Sequence, residues 1–139
     1  MVDDVLLNKA ASIERCLKRA EEEYRGHEKE FRNNFTRQDS IILNLLRASE
    51  ASVDLAMHLV RIRKLGLPQE SREAFTLLEK SGLLNAELAT RMRAMVGFRN
   101  IAVHDYQKLS LDVVQSILEK HLDDFRHYTA VVLQSVSNN

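Results

Sequence analysis

The chain has 139 residues, 45% of them hydrophobic and 29% charged. That is enough for one buried core and too few for two domains of ordinary size, so residues 1–139 are read as a single soluble domain. Lys+Arg and Asp+Glu are both 20, so no net field draws the molecule to nucleic acid or to an anionic membrane, and any anion-binding surface has to be local; no DNA is expected as a partner.

The one cysteine, Cys16, excludes an internal disulfide and makes a poor metal ligand on its own, which fits a reducing cytoplasm. Asp3 and Asp4 stand where a secretion signal needs bases, and no apolar run approaches the roughly 20 residues of a membrane span. Four glycines and one proline are little punctuation for strands and hairpins. The expected fold is all-α, an up-and-down bundle of about five helices with a long N-terminal helix.

The first helix starts after Asp3 or Asp4, either of which can cap it. Leu6, Ala10, Ile13, Leu17, Ala20, Tyr24, His27 and Phe31 step by alternating four and three, the spacing of one seam. Glu14 with Lys18, Glu21 with Arg25 and Glu28 with Arg32 set an acid four residues before a base on the outer face. A helix of about thirty residues would be roughly 45 Å long, more than a small bundle covers, so part of the seam is expected to face another subunit.

Thr36 followed by Asp39 reads as a capping box opening a second helix that runs to Gly66. Its apolar face is Ile42, Leu45, Leu46, Val53, Ala56, Met57 and Val60, and Arg61, Arg63 and Lys64 near its end suit the helix dipole. Gly66-Leu67-Pro68 breaks the chain. A third helix spans Gln69 to Lys80 and stops at Ser81-Gly82. Asn85 caps a fourth through Asn100. Ser110 caps a fifth with Val113, Ile117, Phe125 and Val132 inward. Short loops make neighbouring helices antiparallel, and Ser135 to Asn139 read as frayed.

Polar groups that could carry chemistry collect in F-R-N-I-A-V-H-D-Y, Phe98 to Tyr106. Arg99 and His104 are five steps apart, about 140° around an unbroken helix, so they share a site only if the helix breaks between them or a partner chain completes it. Gly97, Ile101 and Val103 weaken a helix there, and a break is expected. An arginine and a histidine without metal ligands suit transfer at a phosphate. His104 can move a proton near neutrality, and Arg99 can hold the phosphate and the charge that develops on it. The alternative is that Arg99 pairs with Asp105 or caps carbonyls while His104 and Tyr106 lie on the surface.

The run M-V-G-F-R-N-I-A-V-H-D-Y, Met95 to Tyr106, resembles the R-x-x-x-x-H-x-Y signature of the HEPN superfamily, specifically its HepT-like toxin branch. The resemblance implies a metal-independent endoribonuclease toxin of a type VII-like toxin–antitoxin pair, needing no cofactor and working as a homodimer. Arg99 and His104 would be catalytic and Asn100 supporting. The substrate's own 2′-OH would attack, leaving a 2′,3′-cyclic phosphate and a 5′-hydroxyl. The implied antitoxin is a minimal nucleotidyltransferase, and Tyr106 matches the tyrosine it modifies with AMP. Bulk and negative charge added there would block an RNA-phosphate site.

Arg91 and Arg93, in a stretch without acids up to His104, are candidates for guiding the RNA backbone, with ordinary solvated helix positions as the equal alternative. Asp54 and His58 are four apart, and a hydrogen-bonded core pair or an exposed stripe is a simpler expectation for them than a second acid–base site. His27, His121 and His127 show no ligand spacing. No P-loop, dinucleotide turn or G-x-S-x-G is present. The alternative function is a non-catalytic helical partner, or a nucleotide- or substrate-binding subunit, of a minimal nucleotidyltransferase.

Overall fold

The computed structural model of the chain describes residues 3–137. Its helices are α1 (Asp4–Tyr24), α2 (Phe35–Ile62), α3 (Ser71–Lys80), α4 (Ala86–His104), α5 (Leu111–Ser116) and α6 (Leu122–Ser137). A π-helical turn, Ile117–His121, joins α5 to α6, so these two form the fifth helix of the sequence reading. No strand occurs among the described residues. The helix reaches Ser137 rather than fraying from Ser135, and residues 138 and 139 lie outside the described range.

Asp3 caps α1 by accepting from the Val5 and Leu6 N–H groups. The apolar seam from Leu6 to Tyr24 is buried along its whole length. The helix nevertheless ends at Tyr24, giving 21 residues rather than about thirty, because Arg25 is extended and Gly26 takes a left-handed φ of +82° that costs glycine little. Phe31 still reaches the core, through a separate 3₁₀ turn (Phe31–Asn33), and meets the Tyr24 ring edge-on at 5.6 Å. His27 is carried off the seam to a position 3.7 Å from Glu30. The expected surface pairs give way to contacts across the fold: Glu14 and Glu21 meet Arg126 of α6, and Arg32 meets Asp112 of α5.

The cap of α2 is Asn34, whose side chain accepts from the Arg37 N–H at 3.0 Å, so Thr36 and Asp39 form no capping box. Ile42, Leu45, Val53, Ala56 and Val60 are buried and Leu46 is half-buried, while Met57, at the edge beside Leu67 and Pro68, stays exposed. Lys64 takes a left-handed φ of +54°, and the Leu65 N–H closes on the Val60 carbonyl. The helix therefore stops at Ile62 instead of running to Gly66. α3 begins at Ser71 rather than Gln69, whose N–H is held by Glu73.

Asn85 and Ser110 cap α4 and α5 as expected, accepting from Leu88 and Val113. Phe125 and Val132 are buried and Ile117 partly so, but Val113 is exposed and its neighbour Val114 takes the inward place. The long α2 packs against α1, α3 and α4, and α6 closes over α1 and α4. The Tyr128 hydroxyl, fully buried, donates to the Ser52 carbonyl at 2.8 Å and fastens α6 to α2. This closure sets α2 alongside the C-terminal half of α4, where the sequence signature lies.

Candidate active site

α4 does not break between Arg99 and His104. It runs unbroken to His104, four residues beyond the expected end, and Asp105 closes it with its N–H on the Ile101 carbonyl at 2.8 Å. Gly97 lies inside the helix beside the tip of a side chain from α3. A Cβ there would come within 3.1 Å of the Arg72 guanidinium, which crosses from α3. Arg99 and His104 consequently keep their separation of about 140°.

Arg99 faces α2. Its Nη1 donates to the Asn100 side-chain oxygen at 3.0 Å, and Glu50 stands 3.9 Å from its Nε, too far for a hydrogen bond. That Nε is one of two buried side-chain nitrogens without a partner among the described residues, the other being Arg37 Nε. Asn100 touches Arg99 directly. Arg99 does not pair with Asp105, which faces Lys108 at 3.4 Å.

His104 is the last residue of α4 and lies exposed. After Asp105 the chain enters a 3₁₀ turn, Tyr106–Lys108, which leaves the Tyr106 ring at the surface two residues beyond the histidine. The Tyr106 hydroxyl donates to Asp39 of α2 at 2.5 Å. Partial burial, together with the carboxylate that accepts its hydrogen, pushes this phenol up to about 12. Val103 is exposed on the opposite side of α4 from Ile101, and Ile101 and Val113 lie exposed at the same corner. Beside it an apolar cleft of about 360 Å³ opens between α4 and α5, lined by Met95, Phe98, Ile101, Leu109, Val113 and Ile117 among others.

The remaining candidates lie elsewhere. Arg91 bonds Glu87 and Asp124, and Arg93 bonds Glu79. Both forks are engaged by carboxylates, as ordinary helix-surface arginines are. Asp54 and His58 do not pair: Lys9 holds Asp54 at 3.0 Å, and His58 bonds Asp3 at 2.8 Å, so each finds its partner on the α1 side. His121 pairs with Asp124. Among the described residues no group of three or more His, Cys, Asp or Glu side chains could hold a metal ion, and no helix is long and apolar enough to cross a membrane. Asp39 and Glu50 are the contacts that sequence reasoning missed. Asp39 lies 67 residues from Tyr106, and no local signal links the two.

An all-α bundle that carries R-x-x-x-x-H-x-Y over the end of one helix and the following turn has the architecture of a HEPN domain. The chain belongs to the HepT-like ribonuclease family, whose profile matches residues 13–132. It is 47% identical over 131 residues to the mRNA nuclease HepT of Shewanella oneidensis, covering 94% of this chain and 98% of that protein. Two solved structures superpose with a TM-score of 0.89 at 46% identity, again over 94% of this chain and 98% of the other. One is a toxin–antitoxin with AMP-PNP, and the other is a tri-AMPylated Shewanella oneidensis HEPN toxin in complex with its MNT antitoxin.

Proposed function

We propose that this chain is a metal-independent endoribonuclease toxin that cuts messenger RNA and is silenced when a minimal nucleotidyltransferase antitoxin attaches AMP to Tyr106. The observation that carries the reading is the continuity of α4 through Arg99 and His104 to the Tyr106 turn. It puts a guanidinium, an exposed imidazole and an exposed phenol on one short segment, in a chain nearly half identical to an mRNA nuclease.

Because the helix holds Arg99 and His104 apart, one copy presents each group to a different side. Two copies meeting through the apolar surface of Ile101 and Val113 bring both sets into one cleft, so the active unit is a homodimer. There one His104 takes the proton of the 2′-OH as that oxygen attacks the adjacent phosphorus. The bond to the 5′-oxygen breaks, and that oxygen takes its proton from the His104 of the second copy. Arg99 holds the non-bridging oxygens as their charge grows. The products are a 2′,3′-cyclic phosphate and a 5′-hydroxyl.

AMP on Tyr106 sets a phosphodiester charge and an adenosine two residues from His104. RNA is then excluded by repulsion as well as by bulk. The relative that carries AMP in complex with its antitoxin supports this mode of control.

The test is cleavage of an mRNA by the unmodified chain in excess EDTA, beside Arg99→Ala and His104→Ala. Cleavage by the parent chain and its loss in both variants is the expected result. Cleavage that required added metal, or that survived both substitutions, would overturn it and leave the non-catalytic partner of a nucleotidyltransferase as the better description.

A further inference from the structure

Among the described residues the Tyr106 hydroxyl makes one side-chain hydrogen bond, and it is to a base. Its hydrogen lies on Asp39 at 2.5 Å, in the second turn of α2, with both residues exposed. We infer that Asp39 is the general base for the modification of its own chain. It takes the phenolic proton while Tyr106 Oη attacks the α-phosphorus of a nucleoside triphosphate brought by the nucleotidyltransferase. This rests on the reading of Tyr106 as the AMP acceptor.

In the step, the Oη–phosphorus bond forms and the bond from the α-phosphorus to its bridging oxygen breaks. Pyrophosphate leaves with that electron pair. The proton passes to the Asp39 carboxylate and from there to solvent.

Three observations carry the inference. The contact is already in place, so no rearrangement is needed to reach the proton, which meets the geometric condition for a base. Asp39 makes no ion pair and no other side-chain hydrogen bond among the described residues, so its carboxylate is committed to nothing else. The phenol also resists ionisation. With its pKa near 12, only about one molecule in 10⁵ is phenolate at pH 7. Attack by a pre-formed phenolate is therefore scarce, and the proton has to leave to a group in contact as the bond to phosphorus forms.

The contact also disappears with the product. AMP-tyrosine has no hydroxyl proton to donate, and its phosphodiester carries the same charge sign as Asp39. Like charges separate, and the modified side chain is released from α2.

A purely structural Asp39, one that merely ties the turn to α2, predicts different behaviour from a base, and substitutions separate them. Asp39→Asn keeps the size and an acceptor oxygen but does not take a proton at neutral pH, whereas Asp39→Glu keeps the carboxylate. The unmodified chain is incubated with its cognate nucleotidyltransferase, ATP and magnesium, and addition of the first AMP is followed by intact mass. Asp39→Asn is expected to slow it roughly 10²-fold, with Asp39→Glu recovering about tenfold or more of that loss. Addition to Asp39→Asn at the parental rate or faster overturns the inference. Tyr106→Phe isolates the underlying reading: if that variant accepts AMP as fast as the parent chain, the acceptor lies elsewhere and both ideas fall.

Discussion

The α1–α2 pair and the corner where α4 meets α5 are built from similar residues and end in opposite conditions. Along α1 and α2, Leu6, Ile13, Leu17, Ile41, Leu45 and Leu59 are almost wholly buried. Most polar groups there are spoken for: Asp3 caps and also holds His58, Lys9 meets Asp54, and buried Ser49 and Ser52 bond back to carbonyls four residues earlier. At the corner, apolar Ile101 and Val113 face outward, the Arg99 Nε has no acceptor, and the imidazole of His104 lies open. The first region lowers the free energy of the single chain by burial and by hydrogen bonding of most of its buried polar groups, Arg37 Nε being the exception. The second keeps an imidazole and apolar surface in reserve for something outside the chain. The two regions are joined where Asp39 and Glu50 of α2 meet Tyr106 and Arg99.

That contrast breaks if a substitution at the corner unfolds the chain, or if one in the α1–α2 pair changes the chemistry. The largest effect is expected from His104→Ala and Arg99→Ala, which should lower RNA cleavage by about 10²–10⁴-fold. Their circular dichroism and melting midpoint should stay near those of the parent chain. Leu17→Ala, at a site with no exposure, should do the reverse. It should lose about 2–5 kcal/mol in urea unfolding, with the cleavage rate per folded molecule retained.

A smaller effect concerns the contact joining the two regions. Ultraviolet titration should find the Tyr106 phenol ionising near 12, and Asp39→Asn should lower that value only in part, because burial, the largest cause, remains. Because the folded value is raised, the stabilisation by the neutral phenol is complete below about 10 and fades as pH climbs toward 12.

Asp3→Asn sharpens the other side of the comparison, since asparagine still caps α1 but cannot supply the charge facing His58. The hydrogen bond from His58 holds the Asp3 carboxyl below its ordinary value of 3.8. The parent chain should therefore be more stable than the variant above that value, and the gap should close as pH falls through the lowered one. Arg91→Ala should change cleavage and melting least of all, because its exposed pairs with Glu87 and Asp124 are screened by solvent.

Much of this was legible before any coordinates. The caps at Asp3, Asn85 and Ser110 each act within three residues, so they are read where they stand. The α1 seam held because helical periodicity is a local property, yet it overran its helix: Tyr24 and Phe31 both pack inward although a turn at Gly26 separates them. Asp39 looked like part of a cap and proved to be the partner of Tyr106. The break expected between Arg99 and His104 was absent, since the packing of α4 against α2 and α6 outweighs the weak helix preference of Gly97, Ile101 and Val103.

The sequence by itself determined the all-helical class, the positions of most helix starts and the residues of the R-x-x-x-x-H-x-Y string. Each of these depends on side chains within a turn or two of one another. Tertiary structure decided what those residues can reach. Asn100 lies beside Arg99 in the chain, but Glu50 and Asp39 come to Arg99 and Tyr106 only because α2 packs along α4. That choice follows from burial of the whole core, a sum over all the helices that no single segment carries.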